Sequence, residues 1–276
     1  MSRFETADGL GLYAEAHGEG PPIVFSCAYS TTHENWRPQV EPLVQVGHRV
    51  ILWDYRGHGR SDAPHEPGAY TMEKVVDDLG RLLDWGAGGR PAVLAGLSFG
   101  GLASLHYSAR HLDAVRGLVL VATGPGFKNA DAAAKWQARA DRSANFIETN
   151  GFEAFVHGKA GPTCIGREPE LAAARAAGDA IIAQDPLAVG LFGRHVTGPA
   201  PSVIDELAGL DVPALVVVGE HDTGFHRAAE VMSAKLPQAQ SVRVEDGGHI
   251  LNIEVAPAFN AMLVDFVSGL GSNSGA

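Results

Sequence analysis

The pentapeptide Gly96-Leu97-Ser98-Phe99-Gly100 places one serine between two glycines, directly after an apolar run typical of a buried strand. A serine at the tip of a sharp strand-to-helix turn can act as a nucleophile, and small residues two positions before and after it let the two backbones approach closely. A helical pattern begins after Ser98, as that turn requires. The alternative is an ordinary serine in a glycine-rich turn, because chance alone produces the pattern roughly 0.2 times in a chain of this composition.

A serine hydroxyl needs a base to remove its proton, and the base needs a carboxylate to orient it. Asp222 lies just past the apolar run LVVVG, and His249 lies past the next strand-like run, behind two glycines. The chain order Ser98, Asp222, His249 is the order of nucleophile, acid and base at the carboxyl edge of an α/β sheet. We therefore predict these three residues as the catalytic set. The competing acids and bases near the same strand ends are Glu220, Asp246, His221 and His226.

The elements that must position these residues alternate between strands and helices in the first half of the chain. The predicted strands are Leu10–Ala16, Ile23–Ala28, Arg49–Asp54, Ala92–Leu97, Arg116–Ala122, Ala214–Val218 and Ser241–Glu245. The predicted helices of this unit are Trp36–Val46, Met72–Trp85, Phe99–Ala109, Ala228–Leu236 and Pro257–Leu270. Alternation with short links predicts an α/β fold with a mostly parallel sheet covered by helices on both faces. Residues 124–200 contain no strand-like run and are rich in alanine, which predicts a helical insertion.

Composition and charge indicate which kinds of binding partner the protein can have. The chain has 276 residues and a net charge of −11, so no basic surface is expected for nucleic acid or for an anionic membrane. No signal-peptide pattern and no run of 18 apolar residues occur, which predicts a soluble cytoplasmic protein. Cys27 and Cys164 are far apart and outside any metal-ligand spacing, so we expect buried, reduced thiols, no metal site and no cofactor. The partner expected is a small-molecule substrate, and the sequence is compatible with a homodimer.

Four motifs in order resemble the α/β-hydrolase superfamily, and within it the bacterial esterase/lactonase branch of 3-oxoadipate enol-lactonase-like proteins. They are the segment 54–61 (DYRGHGRS), the elbow GLSFGG, the turn GEHD and the GGH of His249. The resemblance implies an eight-stranded, mostly parallel sheet with a helical cap inserted after the sixth strand. On this basis the core is 1–123 and 201–270, the cap is 124–200, and residues 271–276 form a disordered tail. Segment 54–61 is, by the same resemblance, a structural turn below the active site.

The resemblance implies a serine hydrolase that cleaves a small carboxylic ester or lactone through an acyl-enzyme intermediate. By position, the N–H groups of Phe99 and Ala28 would form the oxyanion hole. The chain departs here from its relatives, which usually carry His-Gly where this chain has Ser26-Cys27 before Ala28. The residues predicted to bind substrate are Tyr29, His33, Trp136 and Phe146. An uncharged substrate is favoured, because Arg37 is the only guanidinium near the predicted strand Ile23–Ala28 that could bind a substrate carboxylate.

Two alternatives share these residues. The first keeps the fold and the three residues but performs different chemistry, as a C–C bond hydrolase, a perhydrolase or a cofactor-free oxygenase. The second is a non-catalytic module that binds a small molecule.

Overall fold

One eight-stranded sheet organises the protein. The computed structural model describes residues 2–271. The strands are β1 (Ser2–Glu5), β2 (Gly11–His17), β3 (Pro22–Ser26), β4 (Arg49–Trp53), β5 (Ala92–Leu97), β6 (Val115–Val121), β7 (Pro213–Gly219) and β8 (Gln238–Val244). Their spatial order is β1-β2-β4-β3-β5-β6-β7-β8. β1 pairs antiparallel with β2, and β2 pairs antiparallel with β4, whereas the six strands β3 to β8 run parallel to one another.

Helices cover the sheet. They are α1 (Arg37–Gln45), α2 (Met72–Ala87), α3 (Phe99–Ser108), α4 (Ala130–Val156), α5 (Ala172–Ile182), α6 (Pro186–Phe192), α7 (Thr223–Lys235), α8 (Leu251–Glu254) and α9 (Ala256–Gly271). In sequence terms β3, β5 and β6 are continuous apolar runs, and nearly all of their residues are buried. Such runs are required when helices occupy both faces of a parallel sheet. The predicted α/β-hydrolase fold is therefore confirmed.

The stretch between β6 and β7 is helical, as predicted. It holds α4, α5 and α6, followed by a π-helical turn at Gly193–Thr197. Helix α4 changes direction at Gly151, whose φ of 75° is outside the helical range. The division into a core and a cap at 124–200 stays a prediction.

Three details qualify the sequence predictions. Strand β1 was not predicted; only Phe4 of its four residues is buried, so its sequence carries no apolar alternation. Both cysteines are buried and unpaired, as expected. Apart from Gly271, the predicted tail 271–276 lies outside the described residues.

Within residues 2–271, no helix is both long enough and apolar enough to span a bilayer.

Candidate active site

Ser98 occupies the turn between β5 and α3 in a backbone conformation that side chains rarely adopt, with φ 53° and ψ −115°. The turn is tight enough to demand glycine on either side. A Cβ at Gly96 would lie 2.2 Å from the carbonyl carbon of Gly100, and a Cβ at Gly100 would lie 2.1 Å from the Ser26 carbonyl oxygen. The Ser98 N–H donates to the Val121 carbonyl at 2.8 Å. The glycine spacing thus holds a strained serine at the carboxyl edge of the sheet.

Asp222 and His249 are hydrogen-bonded to each other. Asp222 lies between β7 and α7, and its Oδ2 is 2.9 Å from His249 Nδ1. Both side chains are mostly buried, at 11% and 10% exposure, so the pair is shielded from water without being sealed off. The Phe225 ring lies beside the imidazole, with ring centroids 5.0 Å apart. The carboxylate can therefore fix the tautomer and orientation of the ring.

The loop that carries His249 is anchored from behind. Gly248 donates its N–H to Glu254 Oε2 at 2.8 Å, and Gly247 accepts the N–H of His221 at 2.8 Å. Arg167, from the segment between α4 and α5, donates to the same Glu254 oxygen at 2.8 Å and also to the Asp246 carbonyl. Sequence reasoning did not find Arg167 and Glu254, because 87 residues separate them.

Ser98 and His249 line one cavity at the carboxyl edge of the sheet. Among residues 2–271, no hydrogen bond joins the Ser98 hydroxyl to the imidazole. Catalytic hydrogen bonds are often long in unliganded enzymes and tighten when substrate binds, so the shared cavity is compatible with proton transfer between the two groups.

Two cavities meet at Ser98. The narrow cavity has a volume of about 90 Å³. Its distinctive lining residues are Ala28, Tyr29, Ser30, Ser143, Thr163 and His249. The wide cavity has a volume of about 340 Å³. Its distinctive lining residues are Leu102, Pro125, Phe127, Ala200, Arg227 and Ala228. Ser98, Phe99, Trp136, Arg139, Thr197 and Phe225 line both.

Two backbone N–H groups of residues that line the narrow cavity have no hydrogen-bond partner among residues 2–271. Phe99 is the first residue of α3, so its N–H has no partner inside the helix. Ala28 follows β3, and its N–H makes no hydrogen bond within the described part of the chain. Both residues line the narrow cavity together with Ser98. The predicted oxyanion donors therefore line the same cavity as Ser98.

Segment 54–61 supports the loop after β3, as the resemblance implied. The ring of His58 accepts the Ser30 N–H at 3.4 Å, and the Ser30 carbonyl accepts from Gln184 at 2.9 Å. Burial lowers the pKa of His58 to about 4, so the ring is neutral and able to accept a hydrogen bond at neutral pH. The segment thus supports the loop that carries Ala28, and none of its residues lines either cavity at Ser98.

The four predicted substrate-binding residues separate into two groups. Tyr29 and Trp136 line the narrow cavity, and Trp136 also lines the wide one. The prediction was wrong for the other two. His33 is 1% exposed and holds Asp54 below the site at 2.8 Å, while Phe146 is 43% exposed on α4, and neither lines a described cavity.

Sequence reasoning missed further lining residues. Phe225 and Thr197 lie in segments without a chemical motif, so their position became visible only in three dimensions. Arg139 also lines both cavities; it is exposed, with its guanidinium 5.6 Å from the centre of the Trp136 ring. Arg37, by contrast, is paired with Glu34 at 2.8 Å and with Glu15.

Among residues 2–271, one group of side chains could reach a metal ion. Donor atoms of Glu220, His221 and Asp246 lie within 4.8 Å of one another. All three residues are exposed, and none lines either cavity at Ser98.

Comparison with known proteins agrees with this geometry. A family model described as alpha/beta hydrolase fold matches residues 21–256. The chain is similar to the enol-lactonase from Burkholderia xenovorans LB400, with 28% identity, a TM-score of 0.81, and coverage of 97% of this chain and 100% of that one. It is also similar to Est816, described as an N-acyl homoserine lactone degrading enzyme, with 25% identity, a TM-score of 0.75, and coverage of 96% and 100%.

A sequence relative extends the same picture. A protein of Azorhizobium caulinodans, provisionally named carbamate hydrolase RutD, is 28% identical over 262 residues, which cover 92% of this chain and 94% of that protein.

Proposed function

The chain belongs to the alpha/beta hydrolase fold family, and on that premise we propose that it is a serine hydrolase that cleaves a small, uncharged carboxylic ester or lactone. The similarity to the enol-lactonase and to the lactone-degrading Est816 supports an enzyme that hydrolyses esters or lactones. The observation that carries the proposal is the 2.9 Å hydrogen bond between Asp222 and His249. The imidazole of His249 lines the same cavity as Ser98, whose backbone conformation is strained.

In the proposed mechanism, Ser98 Oγ attacks the carbonyl carbon and its proton passes to His249 Nε2. Asp222 stabilises the imidazolium that results. The bond between the carbonyl carbon and the alcohol oxygen then breaks, and His249 returns the proton to that oxygen. Water next attacks the acyl-enzyme while His249 takes its proton. The Ser98 Oγ–acyl bond then breaks, His249 returns the proton to Ser98 Oγ, and the acid is released.

The N–H groups of Ala28 and Phe99 would stabilise the tetrahedral oxyanion. Each such donor contributes about 3 to 4 kcal/mol to transition-state stabilisation in enzymes where it has been removed. Because these donors are backbone groups of a fixed loop and a helix terminus, they need no reorganisation during the reaction.

The walls of the cavities support an uncharged substrate. Arg227, which lines the wide cavity, is paired with Glu230 at 3.0 Å. Arg139 lies exposed at the rim, where solvent screens its charge. A carboxylate deep in the wide cavity would meet mainly apolar side chains such as Leu102 and Phe127, which disfavour a buried charge.

Acid release from a panel of ethyl esters and lactones tests the proposal. We expect the wild-type protein to hydrolyse neutral members faster than analogues with a terminal carboxylate. The variant Ser98→Ala should lose at least about 10³-fold in kcat while it keeps its fold by circular dichroism. A fluorophosphonate should label wild-type protein at Ser98; labelling without ester or lactone turnover would instead favour one of the same-fold chemistries.

A further inference from the structure

The two cavities that meet at Ser98 differ in the groups they bring to the reaction. His249 and Ala28 line the narrow cavity and do not line the wide one. The wide cavity contributes none of the groups that handle protons or oxyanion charge, apart from Ser98 and Phe99, which lie at the junction. This difference indicates which part of the substrate lies in which cavity.

A tetrahedral carbon bonded to Ser98 Oγ carries three other substituents. The oxyanion must point to the N–H groups of Ala28 and Phe99. The leaving oxygen must lie within hydrogen-bond reach of His249, which has to protonate it. Ala28 and His249 line only the narrow cavity, so the oxyanion and the leaving oxygen are assigned to that cavity and the third substituent, the acyl carbon chain, to the wide cavity.

The sizes and walls of the cavities agree with that assignment. The narrow cavity, at about 90 Å³, is much smaller than the wide cavity, and its walls combine the hydroxyl-bearing residues Ser30, Ser143 and Thr163 with Ala140 and Phe155. The wide cavity, at about 340 Å³, reaches the lower end of the volumes of small-molecule sites and is lined by apolar side chains such as Leu102, Phe127 and Ala228.

We infer that the wide cavity binds the acyl chain and the narrow cavity binds the alcohol, so that the preferred substrate is an ester of an apolar acyl group with a small alcohol. This inference rests on the proposed function of Ser98 and names the substrate class for it. On this assignment, the residues of the wide cavity determine selectivity for the acyl chain, and the residues of the narrow cavity determine selectivity for the alcohol.

Two filling variants test the assignment. Ala228→Leu adds bulk to the wide cavity only, and Ser143→Leu adds bulk to the narrow cavity only. Each is compared with wild type on two ester series that release acid: ethyl esters from acetate to octanoate, and butyrate esters from methyl to hexyl. The measured quantities are the octanoate-to-acetate ratio and the hexyl-to-methyl ratio of kcat/KM.

Ala228→Leu should lower the octanoate-to-acetate ratio at least about 10-fold and leave the hexyl-to-methyl ratio within about 2-fold of wild type. Ser143→Leu should do the reverse. These thresholds correspond to the loss of one or two well-packed methylene contacts. Should Ala228→Leu fail to fold, Ala200→Leu fills the same cavity from the segment before β7.

The opposite pattern, in which Ala228→Leu changes the alcohol ratio, would overturn the assignment while leaving the hydrolase intact. Equal changes in both ratios would overturn it as well, since the cavities would then not be separate subsites. Failure of the proposed function has a different signature: the wild-type protein would cleave no ester and Ser98 would remain unlabelled by the fluorophosphonate.

Discussion

Arg167 donates from its Nε to the Oε2 atom of Glu254 at 2.8 Å, and the same oxygen accepts the N–H of Gly248, the residue before His249. The Glu254 side chain is 1% exposed, so its charge is compensated by Arg167 and not by water. Arg167 lies in the helical stretch between β6 and β7, whereas Glu254 ends α8. The contact therefore ties that stretch to the loop that carries the proposed base.

Substitution Arg167→Met should lower kcat by about 10-fold to 100-fold with little change in KM. Neither Arg167 nor Glu254 lines a cavity, so substrate binding should persist while the imidazole loses its alignment. Arg167→Lys, which keeps the charge, should recover most of the loss. Steady-state kinetics well below the melting temperature of each variant would measure the effect.

The matched control is Arg175→Met, which removes an arginine from an exposed pair with Glu170 in the same helical insertion. It should leave kcat unchanged, because exposed pairs contribute little. If Arg167→Met changed only the melting temperature and spared kcat, the pair would be a stabilising contact without influence on His249.

His33 predicts a specific dependence of stability on pH. Burial opposes protonation of its ring, but the hydrogen bond to Asp54 and the Glu34 carboxylate 3.2 Å from Nε2 outweigh burial and raise the pKa of His33 to about 9. Because the pKa is higher in the folded than in the unfolded state, the stabilisation is complete below about pH 6.5 and is lost as the pH rises through about 9. The ring of Tyr13 packs beside it, with ring centroids 4.7 Å apart.

Urea unfolding of wild-type protein and His33→Gln at pH 6, 7.5 and 9.5 checks this expectation. The difference in the free energy of unfolding between the two proteins should be largest at pH 6 and should shrink towards pH 9.5. A difference that stays constant across this range would mean that folding does not change the pKa of His33.

The elbow predicts a large effect from a single methyl group. Gly100→Ala would bring a Cβ to 2.1 Å from the Ser26 carbonyl oxygen, on the strand that leads to Ala28. We expect a loss of several kcal/mol in the free energy of unfolding, or failure to fold, because backbone must shift to relieve the contact.

Gly209→Ala is the control for that change, since a Cβ there meets nothing within 4 Å and the backbone φ is ordinary. Its melting temperature should match that of wild type. Wild-type stability and activity in Gly100→Ala would show that the turn is looser than the structure describes.

Much of the frame could be predicted from local patterns. Strand Ala92–Leu97 was predicted with the bounds it has, because a continuous apolar run that ends in a glycine-flanked serine is distinctive. Strand β1 was missed because only Phe4 within it packs against the core, which leaves no alternation to detect. Chain order and strand ends were enough to bring Asp222 and His249 together as a prediction.

Long-range contacts escaped sequence reasoning. His33 was predicted to bind substrate because it follows the strand that leads to Ala28. The structure instead shows its ring hydrogen-bonded to Asp54, 21 residues away in the chain. Phe146 looked like a cap aromatic facing the site, but the turn of α4 that carries it faces outward. Such errors are expected, since helical spacing defines a face without defining what that face meets.

The central claim is that the acyl group is transferred to Ser98, and rapid acid quench followed by intact-protein and peptide mass spectrometry tests it most directly. With an ethyl ester that the enzyme hydrolyses, the wild-type protein should gain the mass of one acyl group on the peptide that contains Ser98. The variant His249→Ala, once acylated by an activated ester, should retain that acyl group longer than the wild-type protein does. Ser98→Ala should show neither the adduct nor turnover. Full turnover in Ser98→Ala, or an acyl adduct on a different residue, would contradict the account.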